Sequence, residues 1–494
     1  MFRRRPILVA VTSLLTHRRS ISTASAHRLS AFVPHTLKMA PFRSTASAAT
    51  SLPQISISDA HDGGNGKLFS IDETTNPTTV QIQVQKDPYT ELEQCHHLQY
   101  FNFRSLVSVP VKDATDAAPI PIRYSLVNAG DCSYAKAWEE STPFYSTDPN
   151  DANSWKRAMD TTYDESTGAL TWTYTHTTSG SVYFSYFPPY SYNRHLDLIS
   201  NCQKASDASV YSLGQTLDGR DIECIQMGNG PKVAWIIHRQ HPGETMAEYY
   251  AEGLLERLLG LESGGSVDGS TRRILEAFTI YIVPNMNLDG SVRGHLRTNA
   301  QGQNLNREWC DSGTVDKEDY YKAPSLERSP EVYHVLNKMD ETGVDFFLDV
   351  HGDEVLPYNF LAGGEGLANW GPRLKTLHGA FLNQYNRANS DMQVKIGYEP
   401  EDPGQGRMQV CSNQVGYRFD CLAATLEMPF KDCWSNPDPE RGWNPARAKM
   451  LGASVLEAIL YVAPYLRETD LDVVQNAFGT EDEYVRPTSD YKSM

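Results

Sequence analysis

Apolar and polar residues alternate with a period of two over the first patterned part of the chain, from Ile55 to about Leu198. Strand-like runs such as VQIQVQ, GALTWTYTH and SVYFSYFPPY are separated by turns rich in Gly, Asp and Asn. Short strands at this spacing are typical of two packed antiparallel sheets. We therefore predict a small antiparallel β-sandwich over residues 55–198. Since it contains no obvious catalytic cluster, we interpret it as an accessory domain.

The pattern changes after about Asn201, where short apolar runs begin to alternate with segments of helical periodicity. Strands that alternate with helices indicate an α/β domain with a mostly parallel mixed sheet flanked by helices. We assign this domain to residues 199–466 and the polar, acidic residues 467–494 to a C-terminal tail. The predicted strands are KVAWII, FTIYIVP, VDFFLDV and CLAATLEM, and the predicted helices lie at 245–259 and near 330–341, 367–388 and 444–461.

The composition is that of a globular protein large enough for two or three domains, with 494 residues, 40% hydrophobic and 21% charged. Its eight cysteines are scattered singly without a CxxC pair, which argues against a zinc ribbon or a dense disulfide framework. No apolar run approaches the ~20 residues that a membrane helix needs. We therefore expect no membrane span.

Charge is distributed unevenly along the chain. Residues 1–58 contain eight Lys and Arg but no Asp or Glu. The remainder therefore holds 36 of the 44 basic residues against all 61 acidic ones, a formal charge of −25. Because nucleic-acid binding depends on attraction to phosphate, we do not expect this acidic body to bind nucleic acid.

The leader, residues 1–54, is rich in Arg, Ser, Thr and Ala, which is typical of a disordered transit peptide. We predict a mitochondrial location, with a cytoplasmic form that starts internally at Met39 as the alternative. A secretory signal is a rival interpretation, because PILVAVTSLL resembles an apolar signal core and ASA a cleavage site. Arg18 and Arg19 lie between those two features and weaken it.

Two HxxE motifs follow predicted buried strands: His241 to Glu244 after KVAWII, and His351 to Glu354 after VDFFLDV. Either motif alone is weak support, because His and Glu occur three residues apart by chance in many proteins. Loops at the carboxyl ends of parallel strands converge. One motif and the histidine of the other would then supply the three protein ligands of a catalytic zinc. Spacing alone does not decide whether Glu244 or Glu354 is the ligand.

The segment PNMNLDGSVRGHLRTNAQGQNLNREW is either a solvated loop or a binding segment, because it has few apolar residues to bury. Asn306 and Arg307 place an amide beside a guanidinium, which suits bidentate binding of a carboxylate. Arg297 offers a fixed positive charge for a developing oxyanion. Glu427, at the end of TLEMPF, is either a solvent-facing strand end or the general base that activates water beside a metal.

Five motifs in this order resemble the zinc metallocarboxypeptidases, in particular the cytosolic carboxypeptidases and their bacterial relatives. They are HPGE, PNMNLDG, LRTNAQGQNLNREW, DVHGDE and ATLEMPFKD. VQKDP, YFNFR, LVNAGDCSYAKAW and VYFSYFPPYSYNRH resemble the β-sandwich of the same branch. The resemblance covers most of residues 55–465. It implies a carboxypeptidase-like α/β fold and one Zn²⁺ ion per chain.

The resemblance also implies which side chains bind the metal. His241, Glu244 and His351 correspond to the family's zinc ligands, and Glu354 becomes a neighbour of the site. Glu427 corresponds to the residue that activates water and later protonates the leaving amine.

For substrate binding, the resemblance assigns the terminal carboxylate to Asn306 and Arg307 and the oxyanion to Arg297. The predicted enzyme is a zinc-dependent metallocarboxypeptidase. It hydrolyses the C-terminal peptide bond, or an isopeptide-like glutamyl bond, of peptides or proteins.

Two details of the resemblance stay open. The family has a tyrosine on a loop over the site, for which Tyr398 and Tyr417 are both candidates. The branch also includes enzymes that trim glutamate from protein tails, and either Arg407 or Arg418 is a candidate for binding an acidic side chain. We therefore predict Arg407 as a substrate-binding residue and glutamate-rich tails as a substrate class.

Two other functions are compatible with the same residues. One is a zinc amidohydrolase that deacylates N-acyl amino acids on the same fold, and the other is a metal-free protein that holds C-termini in the cleft. The extended LRTNAQGQNLNREW loop and the accessory sandwich favour the peptidase. The oligomeric state does not follow from the sequence.

Overall fold

The computed structural model describes residues 53–91, 96–108, 119–310, 322–480 and 484–492. The predicted leader and the internal start at Met39 lie outside the described residues, apart from residues 53 and 54. In these ranges, no helix combines the length and the apolar composition that a bilayer crossing needs.

The N-terminal domain contains two five-stranded sheets in its described residues, with strand orders β1-β4-β10-β6-β7 and β2-β3-β5-β9-β8. The strands are β1 (Gln54–Ser58), β2 (Lys67–Asp72), β3 (Thr78–Gln83), β4 (Asn102–Ser108), β5 (Ile120–Leu126), β6 (Phe144–Ser146), β7 (Lys156–Arg157), β8 (Thr162–Asp164), β9 (Ala169–His176) and β10 (Gly180–Ser185). Alternate residues of each strand point to the same face, so the period-two pattern gives each sheet one apolar face.

Aromatic rings fill the space between the two sheets. Phe103, Tyr124, Trp172 and Phe184 are fully buried, and the centroids of neighbouring rings lie 4.5 to 6.4 Å apart. Large rings bury more apolar area than aliphatic side chains, which suits a small domain.

The sandwich is antiparallel, as predicted, with one exception. In the second sheet β3 and β5 run parallel, with Thr78 opposite Ile122. Between these strands the chain crosses to the other sheet, where it forms β4, and β5 therefore enters from the same end as β3. The sequence pattern marks the strands but does not show this crossover.

The second domain is built on one seven-stranded sheet in the order β11-β12-β14-β13-β15-β17-β16. The strands are β11 (Ala208–Gln215), β12 (Asp221–Met227), β13 (Lys232–His238), β14 (Phe278–Val283), β15 (Phe346–Asp353), β16 (Phe360–Ala362) and β17 (Leu422–Pro429). The four central strands, β14, β13, β15 and β17, are parallel. The other three strand pairings are antiparallel. The sheet therefore has as many antiparallel as parallel pairings, whereas the sequence predicted a mostly parallel mixed sheet.

Helices cover both faces of this sheet in the described residues. They are α1 (Tyr192–Lys204), α2 (Met246–Leu259), α3 (Gly269–Ala277), α4 (Leu288–Arg293), α5 (Pro330–Thr342), α6 (Pro372–Ala388), α7 (Cys411–Phe419), α8 (Pro445–Val462) and α9 (Leu471–Phe478). Ile236 of β13 belongs to the apolar cluster of α2, α6 and α8, while its neighbours Trp235 and Ile237 belong to that of α5 and α7. A strand buried on both faces explains why KVAWII is continuously apolar.

The predicted C-terminal tail contains ordered structure. Helix α9 packs against α6 and buries Val474. Further on, Thr488 pairs with Ile396 in a parallel bridge, and its hydroxyl donates to Glu399 at 2.9 Å. This segment therefore lies beside the loop that carries Tyr398.

One buried arginine of the sandwich forms hydrogen bonds to the second domain. Arg157 of β7 donates from Nη2 to the carbonyl oxygens of Phe430, Lys431 and Trp443 at 2.8 to 3.2 Å. The first two of these residues directly follow β17, which carries Glu427. The sandwich therefore holds the chain where β17 ends.

Candidate active site

Three side chains that the sequence analysis singled out as metal ligands meet at the carboxyl ends of β13 and β15. His241 and Glu244 lie in the turn between β13 and α2, and His351 lies in β15. Nδ1 of His241 is 2.7 Å from Glu244 Oε1, and Nδ1 of His351 is 2.9 Å from Glu244 Oε2. The two Nδ1 atoms are 3.1 Å apart, and all three residues are buried. Glu354 lies outside this group.

The outer nitrogens of both histidines face hydrogen-bond acceptors. Nε2 of His241 lies 3.1 Å from Asn304 Oδ1, and Nε2 of His351 lies 2.9 Å from Asp349 Oδ2. Since a carboxylate and an amide oxygen only accept, we assign the hydrogen of each imidazole to Nε2. Both Nδ1 lone pairs then point towards the Glu244 carboxylate without a proton between them. Such a set of two imidazoles and one carboxylate fits a zinc ion.

The electrostatics of His241 and Glu244 agree with this assignment, whereas the charges of Asp349 and Glu244 outweigh burial at His351 and raise its pKa well above the usual range, so a metal must displace a proton there. Burial, assisted by the positive charge of Arg297, lowers the pKa of His241 to about 3. A metal-binding imidazole must be neutral, and this shift keeps it so at physiological pH. Burial opposes ionisation of Glu244, but the two histidines outweigh it and hold its pKa well below the usual range.

A buried charge network supports the ligand turn from behind. Arg239 has a positive φ of 56° and donates from Nε to the carbonyl oxygen of Pro242 at 2.9 Å. Its Nη1 donates to Glu248 at 2.6 Å, and the same carboxylate contacts His195 Nδ1 at 2.6 Å and Asn285 Nδ2 at 2.8 Å. The turn that carries the first two ligands is thus fixed by α1, α2 and the loop after β14.

Glu427 lies at the end of β17 and lines the same cavity as His241 and Glu244. It is 7% exposed, and its Oε2 has no hydrogen-bond partner among the described residues. Burial, which outweighs the attraction of His351, raises its pKa well above the usual range. A buried carboxyl group that lines a cavity and has one unpaired oxygen is suited to take up and release a proton.

The structure separates the two candidate tyrosines. The hydroxyl of Tyr398 donates to Asp353 Oδ2 at 2.8 Å and lies 3.2 Å from Glu427 Oε1. Its ring packs edge-on against Phe360. Tyr417 lies on α7, is 51% exposed and does not line the cavity. Tyr398 is therefore the candidate that reaches the site.

The cavity in front of the ligands has a volume of about 420 Å³. It brings together all the predicted substrate-binding residues, and these are Arg297, Asn306, Arg307 and Arg407. Asn306 is held by the backbone N–H of Cys411, which donates to its Oδ1 at 2.8 Å. A larger cavity of about 860 Å³ lies between the sandwich and α4 and includes none of these residues.

The two candidate specificity arginines also differ in position. Arg407 lines the cavity, where its Nε is 3.6 Å from Glu401 Oε1 and its side chain is 56% exposed. Arg418 lies on α7 and binds Asp340 through two hydrogen bonds of 2.7 Å. Only Arg407 is placed where a substrate side chain can contact it.

The sequence analysis missed several residues that shape the site. Asn304 and Asp349 orient the two histidines. Both could have been noticed in the sequence, because Asn304 lies two residues before Asn306 and Asp349 lies two residues before His351. Asp353 orients Tyr398. Tyr134 lines the cavity but belongs to the sandwich, so its contribution depends on packing between domains and has no local signal.

Two family models match the chain in succession. Residues 57–187 match a cytosolic carboxypeptidase N-terminal domain, and residues 195–403 match a zinc carboxypeptidase. An uncharacterised protein of Zymomonas mobilis is 40% identical over 402 residues, which cover 81% of this chain and 95% of that protein. A metallo-carboxypeptidase from Pseudomonas aeruginosa, solved with (2-guanidinoethylmercapto)succinic acid, is 36% identical. It superposes with a TM-score of 0.71 over 83% of this chain and 100% of its own.

The chain belongs to the zinc carboxypeptidase family. Among its relatives is mouse cytosolic carboxypeptidase 6, which is 25% identical over 190 residues, 36% of this chain and 33% of that protein. This zinc carboxypeptidase is therefore a peptide hydrolase that uses Zn²⁺ and acts on the C-termini of peptides or proteins. The predicted fold is confirmed in its main outline, a carboxypeptidase-like α/β domain after a β-sandwich.

Proposed function

We propose that this enzyme removes single C-terminal residues with Glu427 as the general base. The observation that carries the proposal is the position of the Glu427 carboxylate. It faces the cavity beside the three metal-binding side chains with one oxygen unpaired in the described structure. The match to the zinc carboxypeptidase family ends at residue 403, before Glu427. The role of Glu427 is therefore supported by the geometry of the site and by the ATLEMPFKD motif.

The chemistry follows from the residues around the cavity. His241, Glu244 and His351 would hold the zinc ion, which would supply Lewis-acid polarisation of the scissile carbonyl and of a water molecule. Glu427 takes a proton from the water as its oxygen adds to the carbonyl carbon, and it returns that proton to the amine nitrogen as the C–N bond breaks. Burial raises the pKa of Glu427, which makes its carboxylate a stronger base for the first transfer.

Three side chains in the cavity are suited to hold the substrate. Asn306 and Arg307 lie next to each other and present an amide and a guanidinium to a terminal carboxylate. Arg297 places its positive charge where the carbonyl oxygen becomes negative. The solved Pseudomonas relative binds a succinic acid derivative, and a dicarboxylate of this kind offers the same anchor.

Glu427→Gln tests the mechanism directly. We expect the variant to keep its zinc, measured by elemental analysis, and to lose turnover by about 10²–10⁴, the usual contribution of general acid–base catalysis. Release of the last residue from a free-ended peptide, with the matching C-terminal amide as control, reports the activity. Full turnover by the variant would remove Glu427 from the mechanism.

The same assay separates the peptidase from a deacylase on this fold. A carboxypeptidase does not cleave the peptide with an amidated C-terminus, because Asn306 and Arg307 then have no carboxylate to bind. A deacylase of N-acyl amino acids would instead hydrolyse small substrates such as N-acetyl-aspartate. Cleavage of the small substrate alone would replace the peptidase proposal.

For specificity we propose that Arg407 binds an acidic C-terminal side chain, so that glutamate-rich tails are substrates. Support comes from its place in the cavity, and its partner Glu401 is a weak competitor because both side chains are largely exposed. Peptides that differ only in a C-terminal Glu, Leu or Lys give the test. Arg407→Gln is expected to reduce kcat/KM for Glu selectively, while Arg418→Gln leaves it unchanged. A preference of the wild type for Lys contradicts this proposal.

We also propose that residues 1–54 direct the chain to mitochondria. The support is the Arg-rich composition without acidic residues. Fusion of these residues to a fluorescent protein is expected to label mitochondria, whereas a fusion that begins at Met39 is expected to stay in the cytoplasm. A cytoplasmic signal from both fusions would contradict the proposal.

A further inference from the structure

Asp87 of the sandwich binds the loop that carries Arg297. Its buried carboxylate, 2% exposed, accepts hydrogen bonds from three consecutive backbone N–H groups: Leu296 at 2.7 Å and Arg297 and Thr298 at 2.9 Å. The Thr298 hydroxyl adds a fourth hydrogen bond at 3.0 Å. A buried carboxylate is costly unless it is hydrogen-bonded, so these four donors and Asp87 stabilise each other.

Tyr134, also from the sandwich, contacts the other end of the same arginine. Nη1 of Arg297 donates to the Tyr134 hydroxyl at 3.4 Å, and both residues line the catalytic cavity. The backbone of Tyr134 is fixed in turn, because its N–H donates to Gln99 Oε1 at 3.2 Å. The sandwich therefore contacts Arg297 at its main chain and at its guanidinium.

The loop needs an external support because it has no regular structure of its own. It runs from the end of α4 at Arg293 to Asn304, and this described stretch contains neither a helix nor a strand. The carbonyl oxygen of Leu296 accepts a hydrogen bond from Gly243 at 2.9 Å, in the turn with two metal ligands. Asp87 thus supports a loop that reaches both the candidate oxyanion group and the ligand turn.

We propose that Asp87 and Tyr134 are positioning residues that hold Arg297 in its catalytic orientation, so that the sandwich completes the active site. This inference rests on the proposed role of Arg297. Electrostatic stabilisation of an oxyanion depends on a charge fixed before the reaction, and a displacement of about 1 Å is enough to cost roughly 100-fold in rate. A domain predicted from the sequence to be accessory therefore sets the geometry of the reaction.

The test is a double-mutant cycle in the full-length zinc enzyme. Tyr134→Phe is expected to lower kcat about 3- to 10-fold, and Asp87→Asn about 10- to 100-fold, with KM and zinc content unchanged. In an Arg297→Ala background, both changes are expected to have little further effect, because the group that they orient is gone. Asp131→Asn and Tyr145→Phe, two sandwich residues away from the cavity, serve as matched controls.

A purely structural role would give another result. Losses that are equal with and without Arg297, or wild-type kcat in both single variants, overturn the inference. If Asp87→Asn does not fold, Tyr134→Phe alone decides, since it removes one hydroxyl. If the proposed function itself is wrong, the wild-type enzyme will release no C-terminal residue from any peptide. That result differs from failure of the positioning inference, in which the wild type is active.

Discussion

His351 and Glu427 lie directly opposite each other on the neighbouring parallel strands β15 and β17. Paired residues of adjacent strands place their side chains on the same side of the sheet, about 5 Å apart. The register of the sheet therefore sets the spacing between a candidate metal ligand and the proposed general base. Neither residue depends on a flexible loop for its position.

This register predicts a large effect of a small change, Glu427→Asp. The shorter side chain keeps the charge but withdraws the carboxylate by one methylene, and the strand cannot move to compensate. We expect kcat to fall about 100-fold with zinc content unchanged, the usual cost of a 1 Å misplacement. Steady-state kinetics on a free-ended peptide measure it, and wild-type kcat would show that the register does not set this distance.

Gly352, next to His351, has no room for a side chain. A Cβ at this position would lie 2.6 Å from Met246 Sδ and 3.3 Å from Glu244 Cγ. The backbone N–H of Gly352 also donates a hydrogen bond to Glu244 Oε2 at 3.0 Å. We expect Gly352→Ala to push the ligand aside and to lower zinc affinity by about 10- to 100-fold, as loss of a supporting contact does. Competition with a chelator measures the affinity. Gly180→Ala, which meets no atom within 4 Å, is the control and should bind zinc normally.

The Tyr398 hydroxyl, whose one hydrogen is shared between Asp353 at 2.8 Å and Glu427 at 3.2 Å, predicts a shift in the pH profile. The pKa of Glu427 is already raised by burial, so its active carboxylate form is lost as the pH falls. Loss of the hydroxyl in Tyr398→Phe removes a donor to the ionised form and raises this pKa further. The acid limb of kcat/KM is expected to move to higher pH by up to about one unit. Tyr417→Phe should leave the limb in place, and an unmoved limb in Tyr398→Phe would exclude this contact.

His195 predicts that stability declines in alkaline solution. Burial alone would lower its pKa, but Glu223 and Glu248 outweigh burial and raise it from 6.5 to about 9. A raised pKa in the folded state stabilises the protein fully below pH 6.5, and this contribution is lost as the pH rises through 9. The free energy of unfolding should fall by on the order of 3 kcal/mol over this interval.

Denaturant unfolding at pH 6 and pH 9.5 measures the change. His195→Gln should show a smaller pH dependence than the wild type, because the titrating group has been removed. His334→Gln serves as the matched control, since His334 is only partly buried. An identical pH dependence in wild type and His195→Gln would exclude this histidine as the cause.

Much of the fold and the site could be predicted from sequence because their signals are local. Apolar spacing and the final Gly260 predict a helix over 245–259, and α2 runs from Met246 to Leu259. His241 and Glu244 follow β13 and His351 lies near the carboxyl end of β15, and the carboxyl ends of parallel strands meet at one edge of the sheet. The choice of Glu244 over Glu354 needed the family resemblance, and the structure groups Glu244 with both histidines.

The remaining features depend on contacts between distant segments. Nothing near Asp87 in sequence shows that it binds the backbone of residues 296–298. The parallel pairing of β3 and β5 likewise results from a crossover between sheets, which period-two patterning cannot reveal. Tyr398 and Tyr417, and Arg407 and Arg418, are chemically equivalent candidates, and only their positions in the folded chain separate them.

Arg157 has a practical consequence for anyone who prepares this enzyme. A shortened protein that starts between the two family matches, near residue 190, would lose the donor for the carbonyl oxygens of Phe430, Lys431 and Trp443. Carbonyl oxygens without a hydrogen-bond donor, and an apolar surface exposed by removal of the sandwich, favour aggregation. Crystallisation and inhibitor screening should therefore retain both halves in one polypeptide.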